Sequence, residues 1–260
     1  MFKGKVAVVS GSTSGIGLGI ADELARQGAD IVLNGLGQAG KIEAIRIGLE
    51  RDHGVRAVYH DADMLKGDAV RGMIAATVGT FGRLDILVNN AGIQFTAPVE
   101  DFPAAQWDAI LEINLSAAFH GIAAAVPHMR KQGWGRIVNI ASAHGLVGSP
   151  QKAAYVAAKH GLIGLTKVVG LETAGSGVTC NAICPGWVLT PLVDKQIGDI
   201  AAEKSISRKE AAQELLAAKQ PSMDFVSPAQ LGGTVAFLCS DAASQITGTA
   251  ISVDGGWTAQ

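Results

Sequence analysis

The sequence predicts an α/β fold in which seven parallel strands form a doubly wound sheet with helices on both faces. Three observations lead to it. Short apolar runs alternate with longer helical patterns, several runs are continuous stretches of Val, Ile and Leu, and a glycine-rich turn follows the first run. Continuous apolar runs are typical of parallel strands buried on both faces. Alternation of strands with helices is typical of a parallel sheet that helices cover.

The alternation also sets the bounds of the elements. The predicted strands cover residues 5–10, 30–34, 56–60, 84–89, 135–142, 178–184 and 249–254. The predicted helices cover residues 15–27, 41–52, 66–80, 104–131, 152–174 and 228–240. Only residues 190–226 break the rhythm, because they are polar and helical in pattern but contain no strand. We therefore predict a single domain, residues 1–260, with a helical lid at about 190–226.

Composition and charge exclude several classes of protein. With 21 basic and 23 acidic residues the net charge is −2, which gives no reason to expect a nucleic-acid partner. No continuous apolar run approaches the ~18–20 residues of a membrane span, and the N-terminus does not resemble a signal peptide. The three cysteines, Cys180, Cys184 and Cys239, are too few for a disulfide framework and predict a reducing, cytoplasmic setting. The histidines show no metal-ligand spacing, so no metal is expected.

The first predicted strand leads directly into a turn that suits a phosphate group. Gly11, Gly15 and Gly17 lie between this strand and an amphipathic helix. Glycines at this point let the backbone turn tightly and approach a pyrophosphate, while the helix N-terminus presents free N–H groups. Because the turn is the first strand-to-helix connection, we predict a Rossmann-like, dinucleotide-binding fold.

Three polar side chains share one face of the helix predicted at 152–174. Lys152, Tyr155 and Lys159 are spaced i, i+3 and i+7. At ~4 Å and an effective dielectric of ~20, a lysine would attract a tyrosinate by about 4 kcal/mol, or roughly three pKa units before desolvation. On most helices such a pair is exposed to solvent and has no catalytic role. Here the preceding strand ends in Ser142, at the sheet edge where ligands bind, so we predict that Tyr155 is an acid–base group.

Four motifs in order resemble the short-chain dehydrogenase/reductase family over essentially the whole chain. They are the glycine turn, NNAG at 89–92, Tyr-x-x-x-Lys at 155–159 and Pro-Gly at 185–186. The resemblance implies a hydride transfer between a secondary alcohol and a nicotinamide cofactor, and it implies a homotetramer. Its implied catalytic residues are Asn114, Ser142, Tyr155 and Lys159.

The resemblance also implies a role for each catalytic residue. Ser142 would hold and polarise the reacting oxygen, and Tyr155 would give or take the proton. Lys159 would lower the tyrosine pKa and hold the nicotinamide ribose. Asn114 would anchor a water molecule that links the lysine to solvent; without the resemblance it is only a polar residue in a helix.

The expected cofactor is NAD. The second strand ends at Asn34 and Gly35, where an acidic residue would favour NAD and a basic one NADP, and neither is present. Asp63 is a candidate partner for the adenine amino group, or alternatively a helix cap. The predicted cofactor-binding residues are Gly11, Thr13, Gly15, Ile16, Gly17, Asp63, Asn90, Gly92, Tyr155, Lys159 and Thr190.

Lys152 indicates the substrate, because Tyr155 and Lys159 already supply the proton chemistry. A small hydroxy acid brings a carboxylate that this lysine can bind; the alternative is a solvated first-turn lysine. The resemblance implies D-3-hydroxybutyrate, oxidised reversibly to acetoacetate. Trp187 and Trp257 would wall its methyl group, with core packing as the alternative for Trp257. The predicted substrate-binding residues are Gln94, Ser142, His144, Lys152, Tyr155, Trp187, Gln196 and Trp257.

Two other functions remain possible from the sequence. A 3-oxoacyl thioester reductase of the same family would favour NADPH and a basic docking surface. A nucleotide-sensing protein on the same fold would not need Ser142, Tyr155 and Lys159 together. In the predicted lid, residues 208–219 read as an amphipathic helix with a solvated charged face.

Overall fold

The computed structural model describes residues 1–259, and its seven strands form one sheet with all neighbours parallel. The strands are β1 (Val6–Val9), β2 (Asp30–Asn34), β3 (Ala57–His60), β4 (Ile86–Asn89), β5 (Gly135–Ile140), β6 (Val178–Pro185) and β7 (Ala250–Val253). Their order across the sheet is β3-β2-β1-β4-β5-β6-β7, so the winding reverses between β1 and β4. The predicted doubly wound α/β fold is confirmed.

The helices follow the predicted bounds closely. They are α1 (Gly15–Arg26), α2 (Ala39–His53), α3 (Gly67–Phe81), α4 (Ala104–Leu111), α5 (Ala117–Gln132), α6 (Ala153–Thr173), α7 (Pro191–Lys204), α8 (Arg208–Ala217) and α9 (Pro228–Cys239). The segment predicted as a lid holds α7 and α8 and contains no strand of the sheet. One feature was not predicted: a π-helical turn, Glu112–Ser116, joins α4 to α5 and carries Asn114.

The sheet is buried on both faces because successive side chains of a strand point to opposite sides. In β1, Ala7 and Val9 belong to the core cluster that also contains residues of α1 and α9. Val6 and Val8 belong to the cluster on the other face, with residues of α3 and α5. A continuous apolar strand of this kind requires helices on both faces, which is why the Val, Ile and Leu runs predicted the layers correctly.

The long helical stretch Ala104–Gln132 has the length and composition of a membrane span. It covers 29 residues, and its most apolar window reaches a mean hydropathy of 1.5. Its buried residues include Ile122, Ala125 and Met129, which pack in the core against the sheet. Packing of this kind is also typical of a core helix. The expectation that no segment spans a membrane stays a prediction.

Candidate active site

The candidate site lies at the carboxyl ends of the strands, beside the point where the strand order reverses. Open α/β sheets bind their ligands in the crevice at this position. The loops after β1, β4, β5 and β6 all emerge there and carry the glycine turn, the NNAG turn, Ser142 and Trp187. Residues far apart in sequence are thus brought to one edge.

The glycine turn fits a pyrophosphate. Gly11 and Gly15 have φ angles of 63° and 55°, which side chains disfavour. A Cβ on Gly17 would lie 2.3 Å from the carbonyl oxygen of Gly11, so only glycine allows the loop to fold back on α1. Ser14, the N-cap of α1, makes no side-chain capping bond. The first N–H groups of α1, including that of Ile16, are therefore available to an anion.

Two residues expected to bind cofactor support this loop with their side chains, and their contact with the cofactor stays a prediction. Asn90 donates from Nδ2 to the carbonyl oxygens of Ser10 (2.9 Å) and Gly11 (3.1 Å). The Thr13 hydroxyl donates to the carbonyl oxygen of Leu36 at 2.7 Å. Their side-chain hydrogen bonds join the turn to β4 and to the end of β2. The sequence could not separate holding the loop from holding the ligand, because both require a residue at the same place.

At the adenosine end, Asn34 faces into the protein. It is buried, and its Nδ2 donates to the carbonyl oxygens of His60 (3.0 Å) and Ala62 (2.9 Å). Residues 35–38, Gly-Leu-Gly-Gln, carry no charge. Asp63 is exposed, and its Oδ1 accepts a hydrogen bond from the backbone of Leu65 at 3.0 Å. It therefore caps a turn ahead of α3, which leaves its second oxygen directed to solvent and to Lys66.

The catalytic set is assembled where β5 meets α6. Ser142 lies just beyond β5 and accepts a hydrogen bond from the backbone N–H of His144 at 3.1 Å. Lys152 is the N-cap residue of α6, and Tyr155 and Lys159 lie on its first turns. Burial raises the pKa of the Tyr155 phenol, and its hydrogen bond with Ser142 lowers it in part. The serine hydroxyl therefore lies close enough to the tyrosine phenol to influence its pKa.

Lys159 is placed differently from the expectation. Its Nζ donates to the carbonyl oxygen of Ile140 at 2.8 Å and lies 5.6 Å from the ring centre of Tyr155. Burial lowers the pKa of Lys159 to about 8. The expectation that Lys159 lowers the pKa of Tyr155 is wrong for the protein without its cofactor, because burial raises the pKa of Tyr155 and also lowers the pKa of Lys159.

Gly92 and Asn114, which is carried by the π-helical turn, lie close to Lys159. A Cβ on Gly92 would lie 3.7 Å from the lysine Nζ and 3.3 Å from Oδ1 of Asn114. The Asn114 carboxamide is itself paired with Ile93, accepting from its N–H at 2.8 Å and donating to its carbonyl at 2.9 Å. Beside it lies a cavity of about 10 Å³, large enough for one water molecule. The cavity is lined by Ser10, Asn89, Ala91, Ile113, Asn114, Ala117, Ala118 and Leu162.

Next to Tyr155, aromatic rings and a cation form a second pocket. His144 packs edge-on against Tyr155 (centroids 6.1 Å apart) and Trp257 (5.0 Å). Trp257 stacks on Trp187 at 6.2 Å, and Lys152 Nζ lies 5.8 Å from the Trp187 ring centre. Burial lowers the pKa of Lys152, so the alternative of a freely solvated lysine does not hold. Trp257 is buried, yet it packs on pocket residues.

Two buried polar atoms of this pocket lack a hydrogen-bond partner within the part of the chain that the structure describes. Among residues 1–259, buried His144 Nε2 and Trp187 Nε1 have no hydrogen-bond partner. Burial first, and then the charges of Lys152 and Lys219, lower the pKa of His144 to about 4. The imidazole is therefore neutral at pH 7 and can donate one hydrogen bond from whichever nitrogen carries the proton.

Three further predicted residues lie at exposed positions or at the start of α7. Gln94, after the NNAG turn, and Gln196, on α7, are both exposed. Their convergence on a substrate stays a prediction. Thr190 caps α7 by accepting from the backbone N–H of Val193, and its Cγ2 would lie 3.4 Å from a Cβ added at Gly15. The lid thus begins beside the phosphate turn, and the contact of Thr190 with the cofactor stays a prediction.

Lys219 and Gln220, at the end of the lid, were not predicted. Lys219 Nζ lies 5.1 Å from the ring centre of Trp257, and Gln220 Oε1 accepts from the backbone N–H of Trp187 at 2.7 Å. The interpretation of 208–219 as a solvated face holds for Lys209, which is exposed, but is wrong for half-buried Lys219. Sequence carries no signal for this, because the chain turns inward only after α8 has ended.

Comparisons with known proteins agree with this geometry. The family described as enoyl-(acyl carrier protein) reductase, adh_short_C2, matches residues 11–258. D-beta-hydroxybutyrate dehydrogenase of Cupriavidus necator is 55% identical over 100% of both chains. The Rhizobium meliloti protein of that name is 53% identical over 98% of this chain and 99% of its own. The crystal structure of L-sorbose reductase from Gluconobacter frateurii, complexed with NADPH and L-sorbose, matches with a TM-score of 0.95 at 31% identity, covering 100% of this chain and 98% of that one.

Proposed function

We propose that this chain, which belongs to the short-chain dehydrogenase/reductase family, oxidises D-3-hydroxybutyrate to acetoacetate with NAD, reversibly. One observation supports this choice of substrate. The Ser142–Tyr155 pair adjoins a pocket that contains a cation, Lys152, and an unpaired neutral imidazole, His144. A 3-hydroxy acid has its carboxylate two carbons from the carbinol, so one molecule can occupy both places. The relatives named above act, by their names, on this compound.

The residues of the chain divide the reaction between them. Ser142 holds the substrate hydroxyl. Tyr155, once its own proton has left towards Lys159, accepts the substrate proton, so that the carbonyl forms as the C–H bond breaks. When bound, the nicotinamide ring of NAD accepts the hydride from the carbinol carbon. The proton then leaves Tyr155 towards Lys159 and the water-sized cavity beside Asn114.

NAD rather than NADP is the cofactor we propose. The glycine turn and the free N-terminus of α1 suit the pyrophosphate of either dinucleotide. A ribose phosphate would need a basic side chain at the end of β2, where residues 34–38 offer none and Asn34 is turned inward. The absence of charge there favours the unphosphorylated ribose.

The two alternative functions fit the site less well. A 3-oxoacyl thioester has no carboxylate to pair with Lys152, and the stacked Trp187 and Trp257 limit the room for an acyl chain. A nucleotide sensor has no need for a buried Lys159 placed beside Gly92 and Tyr155. We therefore prefer the small hydroxy acid.

We further propose that the protein is a cytoplasmic homotetramer. Phe119 on α5 and Val168 and Leu171 on α6 are 48%, 51% and 80% exposed, which is unusual for side chains of this size on adjacent helices. A second copy of the chain would cover them, and closed symmetry is the usual arrangement. Cys180, Cys184 and Cys239 are free and buried, as expected of a protein in a reducing compartment.

The test measures NADH formation by the purified protein with D-3-hydroxybutyrate, its L enantiomer and a 3-hydroxyacyl thioester. We expect turnover with the D acid, little with the others, and near-complete loss in Tyr155→Phe while NAD binding stays within about threefold. A wild-type protein that binds NADH but gives no NADH from the D acid would contradict the proposal.

A further inference from the structure

A second lysine lies at the same pocket and enters it from the lid. Lys219 follows α8, and its Nζ lies over Trp257 at 5.1 Å and 3.4 Å from Oγ of Ser149, in the loop before α6. The Nζ of Lys152 lies over Trp187, 5.8 Å from its ring centre. Since the two tryptophans stack on each other, the two ammonium groups flank one aromatic wall.

The two lysines bring positive charge to the pocket, and among residues 1–259 neither is within ion-pair distance of an acid. The ion pairs of this part of the chain involve other lysines, and neither Lys152 nor Lys219 takes part in one. Asp254, the nearest buried acid in sequence to Trp257, is saturated by the N–H groups of Gly256 and Thr258 and the Thr258 hydroxyl. The repulsion between the lysines reaches His144 as well.

We propose that Lys219 is a second carboxylate-recognising residue, and that the substrate carboxylate is the counter-ion that lets the lid bring Lys219 up to Lys152. The inference rests on the function proposed above. Without an anion, like charges oppose the closed lid; with one, both lysines and the neutral imidazole of His144 have a partner. Lys152, at the base of the pocket, and Lys219, on the lid, thus both bind the carboxylate, and closure of the lid depends on its presence.

The position of Lys219 is fixed well enough for this role. Gln220, the next residue, is buried, and its side chain bridges the backbone of Trp187 and the carbonyl oxygen of Asp224. A Cβ on Gly186 would lie 2.4 Å from Oε1 of Gln220, so the glycine lets this bridge form. The end of the lid is therefore held against the turn that carries Trp187.

The test compares Lys219→Met with a control variant, Lys209→Met. The control removes the same charge from an exposed site on α8. At saturating NAD, we expect Lys219→Met to lower kcat/KM for D-3-hydroxybutyrate by about 10- to 100-fold. The kcat/KM for the methyl ester, which has no carboxylate for Lys219 to bind, should fall by less than about threefold. Lys209→Met should match the wild type on both, and Lys219→Arg should keep most of the preference for the acid. Equal losses for acid and ester would overturn the proposal.

Hydrogen exchange of the α7 and α8 amides supplies a readout that does not depend on turnover. In the wild-type protein with NADH bound, acetate, a short unreactive carboxylate, should increase protection of residues 191–217. In Lys219→Met these amides should be more protected before acetate is added and change little afterwards, because the repulsion is gone. A variant lid that responds to acetate as the wild type does would overturn the coupling.

The two proposals fail in different ways. If the wild-type protein does not oxidise the D acid but acetate still protects the lid only when Lys219 is present, the proposed substrate is wrong and the anion site stands. If the wild type oxidises the acid and Lys219→Met does so equally well, the role of Lys219 is wrong and the proposed function stands.

Discussion

Replacing Lys159 by methionine is expected to abolish activity and to make the protein more stable at neutral pH. The lysine is buried, and burial lowers its pKa from 10.5 to about 8. At pH 7 the folded protein therefore holds a charge that its surroundings disfavour. Methionine has a similar length and no charge, so the substitution removes that penalty.

The magnitude follows from the shift in pKa. A difference of 10.5 against about 8, at about 1.36 kcal/mol per unit, corresponds to roughly 3 kcal/mol of disfavoured charge. The variant also loses the hydrogen bond to the carbonyl oxygen of Ile140, which stabilises the fold by about 1 kcal/mol. A net gain of about 2 kcal/mol remains, or a Tm higher by roughly 4–8 °C for a chain of this size.

The pH dependence distinguishes this explanation from better packing. Because the folded pKa of Lys159 is lowered, the unfolded chain binds more protons between pH 8 and 10.5, and the wild-type stability rises with pH through that window. The variant has no such group, so its advantage at pH 7 should shrink as the pH approaches 10.

The assay is urea unfolding of wild type and Lys159→Met at pH 7 and pH 9.5, at one fixed protein concentration and without cofactor. Lys209→Met, at an exposed site on α8, is the control and should stay within about 0.5 kcal/mol of wild type. A Lys159→Met protein that is less stable at pH 7, or whose advantage does not change with pH, would refute the reasoning.

Four further outcomes are expected. The rate of oxidation should rise with pH through an apparent pKa near 8, and the rate of reduction should fall over the same range. The same pH dependence in Tyr155→Phe would assign the catalytic base to another residue. Lys152→Ala should lower kcat/KM for 3-hydroxybutyrate by about 10- to 150-fold and affect its ester much less, which parallel kinetics with both compounds would check. NAD should be preferred over NADP at least tenfold, about 1.4 kcal/mol, and comparable efficiencies would contradict our interpretation of the β2 loop. Asn34→Asp should not increase the preference for NAD. It should lower the free energy of unfolding, measured in urea, by about 2 kcal/mol, because a carboxylate would face two carbonyl oxygens.

Local sequence was sufficient for the elements that form the site's frame. The apolar run of β1 and the glycines after it depend on near neighbours in sequence, so their structure could be read directly. The same is true of the face shared by Lys152, Tyr155 and Lys159, since helical spacing alone brings them together. The π-helical turn at 112–116 had no such signal, because the residues around Asn114 pattern as ordinary helix.

Sequence by itself thus determined the layers of the fold, the phosphate turn and the proton-transferring pair, because each is a consequence of periodicity over a few residues. Only the tertiary structure decided which way Asn34 faces, how Lys159 is charged and where Lys219 lies. Those properties depend on burial and on partners distant in the chain. A hydrogen bond to a carbonyl of another strand, or a second cation brought in by the lid, changes what a side chain can do without changing the pattern of residues around it.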